Sequence, residues 1–246
     1  MSDLRYKVIN QTGSKHSEID AGLRSYMMKV YGYMFMGLNL TGLMAFAVMR
    51  VPALQQALFA IDASGRYVPS GLTWLLFFVQ LGIVFYLSFR INHLKALTAQ
   101  LVFWGYAGLM GLSMSSVFLV YTGASLARVF FITSSVFGVM SLYGYITKRD
   151  LSGFGSFLFM GLIGIVLASV VNIFLQSSMM DFIVSVLGVL IFTGLTAYDT
   201  QRIKEVYYEH DSAEIQSKKA VMGALALYLD FINLFLFLLR FLGDRR

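Results

Sequence analysis

The sequence contains no cysteine, which excludes both a disulfide framework and a thiolate metal site. Charged residues occupy only 13% of its 246 positions, about half the share that is usual in soluble domains. Its three histidines, His16, His93 and His210, are too scattered along the chain to suggest a metal cluster. Only two prolines occur, and both fall between Pro52 and Ser70, which we predict to be the longest outer connection. These absences point away from a soluble, metal-stabilised or disulfide-stapled protein.

Long uncharged runs dominate what is present. Hydrophobic residues make up 58% of the chain, and the mean hydropathy is +0.71. Each run is near or above the roughly 20 residues that a helix needs to cross about 30 Å of hydrocarbon. We therefore predict an all-α integral membrane protein with seven spanning helices. They cover about Tyr26–Met49, Leu72–Ile91, Thr98–Val120, Ser125–Thr147, Gly155–Gln176, Phe182–Gln201 or beyond, and Ala220–Leu242.

The net charge of +6 predicts a membrane topology and does not indicate nucleic-acid binding, because the basic residues cluster at the ends of the apolar runs. With a cytoplasmic N-terminus, 13 of the 19 lysines and arginines lie inside. They are Arg5, Lys7, Lys15, Arg24, Lys29, Arg90, Lys95, Lys148, Arg149, Arg202, Lys204, Lys218 and Lys219. We predict a multi-pass protein of the cell membrane, with a mobile cytoplasmic tail at residues 1–20 and a membrane domain at residues 21–246.

Two aspartates interrupt the last two apolar runs. Asp199 lies in the string from Thr196 to Ile203, and Asp230 lies in the string from Leu227 to Phe235. Asp230 is preceded by ten uncharged residues and followed by nine. An aspartate near the middle of a spanning helix costs about 2.5 to 3.5 kcal/mol on an insertion scale, so it usually has a partner and often a function.

These strings resemble a known family. Tyr198-Asp199-Thr200-Gln201 and the string Leu227–Phe235, together with Ala21–Tyr31 and Gly108–Ser113, are similar to the transmembrane Bax inhibitor motif family, or Bax inhibitor-1 family, in its bacterial branch. The resemblance covers the chain from Ala21 to Gly243. It implies a bundle with the seventh helix in the middle of the other six, an aspartate pair that senses pH, and a calcium leak across the bacterial inner membrane. We accordingly expect no enzymatic activity and no cofactor, with lipid and the transported calcium ion as partners.

The family's functional residues match positions in this sequence, some more directly than others. Its aspartate pair matches Asp199 and Asp230 directly, and these two are also the candidate calcium ligands. For the basic partner near the cytoplasmic end of the second helix we choose Arg90, the only arginine at that end, with Arg202 as the second candidate. Some bacterial members carry an acid within the second helix, whereas here Gln80 is the nearest polar substitute. An ion route that needs that carboxylate is therefore in doubt.

The spacing of the two aspartates gives an independent argument. Residues at equal distances from the turn of an antiparallel hairpin share a depth, and the midpoint of positions 199 and 230 falls between Glu214 and Ile215, in a polar stretch. However, the string Asp211–Glu214 is typical of a helix N-terminus, and an early start would offset the two carboxylates. A short separate surface helix would reconcile both interpretations. At about 4 Å, two ionised carboxylates repel by ~4 kcal/mol, so they would share a proton or bind a cation such as Ca²⁺.

Purely structural roles stay open for the same residues. Asp199 is able to pair with Arg202 one turn along the same helix. Arg90 and Arg202 also fit the pattern of basic residues whose long side chains reach the membrane surface from the ends of spanning helices. Asn233 lies one turn after Asp230, and we expect it to bond between helices and not to contact an ion.

Two other classes of function remain open. An aspartate pair on the last two spanning helices also resembles the presenilin arrangement of an intramembrane aspartyl protease, but Leu227-Tyr228-Leu229-Asp230 stands where that family has a Gly-x-Gly-Asp string. The other alternative is an interaction protein that modulates a membrane quality-control protease, for which the tail, residues 1–20, would be the binding element. Ion leak does not exclude that interaction.

The simplest gate joins the basic residue to the acid. We predict that an ionised Asp199 is tied to Arg90 at high pH and closes the cytoplasmic mouth, and that protonation releases it, so that acid opens the protein. Arg90→Ala should then leak at alkaline pH, and Asp199→Asn should resemble it because asparagine mimics the protonated acid. Ion flux into liposomes checks both variants. If an Arg90→Ala protein folds normally and stays closed at high pH, Arg202 becomes the candidate for the basic partner that latches Asp199 in the closed state.

Overall fold

A computed structural model gives the architecture of the chain. It describes the backbone of residues 2–63 and 67–246, and the side chains from Ala21 onward within those ranges. The side chains of the predicted tail, residues 1–20, lie outside the described part, so its mobility stays a prediction.

Seven helices in the described residues are long and apolar enough to cross a membrane, which confirms the predicted all-α membrane fold. They are α1 (Ser2–Arg50), α3 (Gly71–Arg90), α4 (Ala96–Met114) continued by the short α5 (Ser116–Val120), α6 (Gly123–Ile146), α7 (Ser152–Leu175), α8 (Ser178–Val206) and α9 (Ala213–Leu242). The smaller elements are α2 (Pro52–Leu58), the strands β1 (Phe59–Ile61) and β2 (Tyr67–Pro69), and a 3₁₀ turn (Ile91–His93).

The predicted outer connection, Pro52–Ser70, contains a short helix and a strand hairpin in its described residues. Pro52 opens α2 at its first turn, where the missing N–H of proline leaves no hydrogen bond unmade. The strands β1 and β2 then form an antiparallel hairpin. The Ser70 hydroxyl donates to the Ala57 carbonyl at 2.7 Å, and the Thr73 hydroxyl donates to the Leu58 carbonyl at 2.6 Å, so the start of α3 is tied to the end of α2.

The seventh spanning helix, α9, is central, as predicted. In its most apolar stretch 61% of the residues are buried, against 11% in the corresponding stretch of α7. α9 packs against α1, α4, α6 and α8, whereas α3 packs mainly on α4 and α7 mainly on α8. The face of α9 between α3 and α7 is therefore less completely covered than its other faces.

The connection between α8 and α9 resolves the question of their register. Ser212 is the N-cap of α9, its hydroxyl accepting from the Ile215 amide, so the helix begins at Ala213, seven residues before the predicted start. The predicted offset does not follow, because α9 is continuous and its first turns project beyond the end of α8. The six-residue linker between the helices has extended backbone at Tyr207 and Ser212 and runs back along these turns. Between these two residues the Asp211 amide donates to the Tyr208 carbonyl at 3.2 Å in a turn. The Lys219 ammonium donates to the Val206 carbonyl at 2.9 Å, which ties the first turns of α9 to the end of α8.

Contacts along the two helices confirm this register. The rings of Phe192 and Phe237 stack with centroids 5.7 Å apart. A Cβ added at Gly223 would lie 3.0 Å from the Ile203 side chain. The residue numbers in these pairs sum to 429 and 426, and those of Asp199 and Asp230 sum to 429. The two acids therefore face each other at one depth.

One close approach between helices depends on a glycine. A Cβ added at Gly144 of α6 would overlap the backbone carbonyl of Ala197 on α8. Backbones that approach this closely are a common packing device in membranes, where the hydrophobic effect does not press helices together. Position 197 is two residues before Asp199, so this contact also fixes the part of α8 that carries the acid.

We expect Gly144→Ala to lower the thermal midpoint of the detergent-solubilised protein, because α6 and α8 would have to separate at a cost of about 1 to 3 kcal/mol. Gly138→Ala on the same helix is the matched control, since a Cβ there meets no atom within 4 Å in the described residues. That control should be neutral or slightly stabilising, because alanine favours helix more than glycine. Equal midpoints for the two variants would contradict the packing account.

Candidate functional site

The structure brings Asp199 of α8 and Asp230 of α9 into direct contact. Asp230 is only 4% exposed, and Asp199 is partly buried beside it. The two carboxyl groups lie close enough to hydrogen-bond to each other and to interact electrostatically. The Asp230 Oδ2 atom is fully buried and receives no hydrogen bond from an amide, hydroxyl or basic group in the described residues. The neighbouring Asp199 carboxyl becomes a hydrogen-bond partner for Asp230 when either acid carries a proton.

A hydrogen bond between two carboxyl groups requires a proton, because ionised carboxylates only accept. With both groups ionised, the bond would be replaced by repulsion of ~4 kcal/mol at about 4 Å and an effective dielectric of 20. A contact this close is therefore favourable when the pair shares one proton. In that state an O–H donates to a carboxylate, which is among the stronger hydrogen bonds in proteins.

The pair lies between two cavities. The first, of about 490 Å³, lies at the end of the bundle where α8 ends and α9 begins, which we call the basic end, and is lined by Asn92, Arg202 and Lys218 among others. The second, of about 640 Å³, lies between α7, α8 and α9 and is lined by both aspartates. Asp199, Arg202 and Ala226 line both cavities. Asp199 thus stands at the junction of the two spaces.

A third cavity continues from the second toward the opposite end of the bundle. It has a volume of about 450 Å³ and shares Leu229 and Asn233 with the second cavity. Its polar lining includes Gln80 of α3, whose amide donates to the Ser113 hydroxyl at 2.7 Å. No carboxylate is among the residues that line this cavity, so the doubt about a route that needs an acid on α3 stands.

The two predicted basic partners occupy different positions. Arg202 is exposed, lines both cavities beside Asp199, and exerts an electrostatic attraction on that acid from the same helix. Arg90 is exposed in the last turn of α3, and the ion pairs found among the described residues include neither arginine. The latch between Arg90 and Asp199 stays a prediction, while the geometry brings Arg202 to the site.

Neighbours of Asp199 in the motif hold α8 to the rest of the bundle. The Thr200 hydroxyl lies 3.0 Å from the Ser141 hydroxyl on α6, which lies 2.5 Å from the Tyr31 hydroxyl on α1. Gln201 accepts from the Leu151 amide and donates to the Arg149 carbonyl, both at 2.8 Å, so it clamps the loop between α6 and α7. Neither these hydroxyls nor this amide was predicted to take part in the site. The feature of the sequence that could have indicated them is the run of polar residues beside an acid within an apolar span.

Tyr228, two residues before Asp230, plays a similar part on α9. It is fully buried, and its hydroxyl lies 2.6 Å from the Thr41 hydroxyl of α1. Since the Thr41 hydroxyl donates to the Ala107 carbonyl of α4 at 2.9 Å, the Tyr228 hydroxyl is the donor to Thr41. The acid on α9 is therefore placed by a helix that is fixed to α1 and α4.

The pair does not form a complete metal site by itself. Among the described residues no group of three or more histidine, aspartate or glutamate side chains is close enough to hold an ion. Ca²⁺ takes six to eight oxygen ligands, and two carboxylates supply at most four. Asn233 donates its amide to the Leu229 carbonyl of its own helix and not across helices, contrary to expectation. The arrangement suits transient contact with a partly hydrated ion better than permanent binding.

Comparison with known proteins gives consistent matches over nearly the whole chain. A family model described as "Inhibitor of apoptosis-promoting Bax1" matches residues 23–246. "Inner membrane protein YbhL" of Escherichia coli is 48% identical over 228 residues, which cover 92% of this chain and 94% of that protein. An uncharacterized protein of Rickettsia prowazekii is 49% identical over 235 residues, 96% of both chains. An uncharacterized protein of Caulobacter vibrioides is 45% identical over 229 residues, which cover 93% of this chain and 92% of that protein.

The shared proton gives a spectroscopic prediction. Over a pH titration, infrared spectroscopy of the wild-type protein should show a protonated carboxyl band from the pair. Asp199→Asn and Asp230→Asn should each change the frequency and the pH midpoint of that band, because the remaining carboxyl bonds to an amide and no longer shares a proton with a second acid. Glu205→Gln, at an exposed acid on the same helix α8, should leave the band unchanged. A band with the wild-type frequency and midpoint in both asparagine variants would show that the pair does not share a proton.

Proposed function

This chain belongs to the Bax inhibitor-1 family of membrane proteins, and on that basis we propose that it is a pH-dependent calcium leak controlled by Asp199 and Asp230. We place it in a bacterial inner membrane, as the name of its Escherichia coli relative suggests, with the N-terminus and the basic end of the bundle in the cytoplasm. The positive-inside distribution of lysine and arginine supports that orientation.

The observation that carries the proposal is the position of the pair between cavities. The spaces on its two sides share Asp199, and the further space reaches Gln80 and Ser113. An ion that moved through this series would have to pass two hydrogen-bonded carboxyl groups. A titrating group at the junction of two cavities is well placed to control movement between them.

The proton count of the pair supplies the switch. With one proton, the bond between the acids is charge-assisted and joins α8 to α9. A second proton turns it into a neutral bond of roughly half the strength. A loss of about 1 to 2 kcal/mol changes an equilibrium between two states by a factor of 5 to 30. We infer that acid weakens the link and raises the leak.

Calcium fits the chemistry of the two acids. Carboxylate oxygens are the ligands that Ca²⁺ prefers, and an incompletely coordinated site allows an ion to leave as well as to bind. Contact with the acids is therefore brief, and the bond between α8 and α9, weakened by the second proton, sets how the leak depends on pH.

The other candidate functions gain less support. The interaction with a membrane protease rests on the tail, residues 1–20, whose side chains lie outside the described part, and it stays a prediction. The protease alternative shares the aspartate pair but lacks the Gly-x-Gly-Asp string before Asp230. The family and relative names give no sign of catalytic activity.

Calcium flux tests the proposal directly. Purified protein in liposomes should admit Ca²⁺ faster than empty liposomes, and the rate should rise as the pH falls through the range in which the pair gains its second proton. Asp199→Asn and Asp230→Asn should each lose the wild-type pH midpoint, because either change removes the shared titration. A dye inside the liposomes reports the rate.

The matched control is again Glu205→Gln, which removes an exposed acid from α8 and should keep the wild-type profile. Flux that never exceeds that of empty liposomes at any pH would refute the leak. Flux with an unchanged pH profile in both asparagine variants would show that the switch lies elsewhere.

A further inference from the structure

The cavity at the basic end has a charge that a cation route alone does not explain. Arg202, Lys218 and Lys219 line it, while Asp199 at its inner end is the one acid among its lining residues. An excess of positive charge at a mouth raises the free energy of an approaching Ca²⁺ ion. The lining is therefore better matched to an anion.

The three basic side chains differ in the number of hydrogen bonds and ion pairs that they already make. Lys219 is engaged, since its ammonium pairs with the Asp211 carboxylate at 2.5 Å and donates to the Val206 carbonyl at 2.9 Å. Lys218 has only a long hydrogen bond, 3.2 Å, to the Asn92 carbonyl. Arg202 has no hydrogen bond or ion pair within 4 Å in the described residues. Two positive groups thus face the cavity with most of their donors free.

Apart from Asn92 and the hydroxyl of Tyr26, the rest of the lining is apolar. Ile91, Ile203 and Met222 are among the residues that form its walls, and the volume of about 490 Å³ lies in the range typical of small-molecule sites. A bare inorganic anion needs no apolar wall. A ligand with a charged head and a hydrocarbon body matches both parts of the lining.

The position of the cavity also fits an amphipathic ligand. It lies beside the last turns of α8 and the first turns of α9, at the end of the spanning helices. Basic pockets between spanning helices on the cytoplasmic side are the usual kind of site for anionic headgroups.

We propose that this cavity binds the phosphate headgroup of an anionic membrane lipid. Arg202 holds the phosphate oxygens through its forked N–H groups, Lys218 adds a second charge, and the isoleucine and methionine side chains contact the start of an acyl chain. The site does not depend on the leak for its existence.

The consequence for flux rests on the proposed function. A bound phosphate cancels positive charge at the mouth and adds oxygen ligands beside Asp199. An anionic lipid should therefore raise the calcium leak several-fold relative to a membrane of neutral lipid.

Binding is measured first, without flux. The purified protein in neutral detergent is titrated with short-chain phosphatidylglycerol, short-chain phosphatidylcholine or inorganic phosphate, and its thermal midpoint is recorded. A ligand that binds only the folded protein raises that midpoint. We expect a rise of several degrees with phosphatidylglycerol and no comparable rise with the other two.

The variants localise the effect. Arg202→Gln and Lys218→Gln should each weaken the apparent affinity for phosphatidylglycerol by about tenfold or more, since each removes a charge-assisted contact. Arg202→Lys should fall between, because lysine keeps the charge but loses the planar fork. Lys148→Gln, an exposed lysine that does not line the cavity, should behave as wild type. If Arg202→Gln does not fold, Lys218→Gln carries the test.

Other binding results would contradict the proposed lipid site. An equal rise with inorganic phosphate would show that the cavity binds a soluble anion and not a lipid. An equal rise with phosphatidylcholine would show that the net charge of the lipid does not matter. An undiminished shift in Arg202→Gln and Lys218→Gln would place the ligand elsewhere, and no shift with any ligand would refute the site.

A preserved shift without calcium flux would refute the leak and leave the lipid site standing. Equal flux in phosphatidylcholine vesicles with and without phosphatidylglycerol would refute the effect of the lipid on the leak.

Discussion

An ionised carboxyl group inside a membrane-spanning bundle has to be paired, protonated or hydrated, because hydrocarbon solvates it poorly. Asp230 lies against Asp199, and its Oδ2 atom is buried without a hydrogen-bond donor among the described residues. The contact requires the two acids to share a depth, and the helices that carry them are set accordingly. The first turns of α9 project beyond the end of α8, so α9 begins early without displacing the pair.

The helices around the pair are fixed by polar contacts as well as by packing. Tyr228 joins α9 to α1 and α4 through Thr41. Thr200 joins α8 to α6 and α1 through Ser141. Because these bonds lie within one turn of the two acids, a change in the bond between Asp199 and Asp230 acts on elements that are otherwise held in place. On the proposed function, the pair is the contact that changes with pH while these hydrogen bonds hold its helices in place.

Much of the architecture was open to prediction from the sequence, for physical reasons. Twenty-residue apolar spans have few alternatives to helices in a membrane, and an acid in such a span needs a partner, which led to seven helices and to the contact of Asp199 with Asp230. The start of α9 was predicted seven residues late, because the polar residues 213–219 look like a loop although they form helical turns. Spacing along the chain does not show which helices are neighbours in the bundle. The cavities, the hydrogen bonds of Gln201 and the choice between Arg90 and Arg202 all depend on those neighbours, so they could not be predicted.

The central claim is that the proton held between Asp199 and Asp230 sets the rate of leak. It is tested most directly by recording, on the same wild-type proteoliposomes across one pH series, the infrared carboxyl signal of the pair and the calcium flux. The account predicts that the change in flux and the change in the protonation of the pair have the same pH midpoint. A leak that changes over a pH range in which the carboxyl signal of the pair stays constant would contradict it.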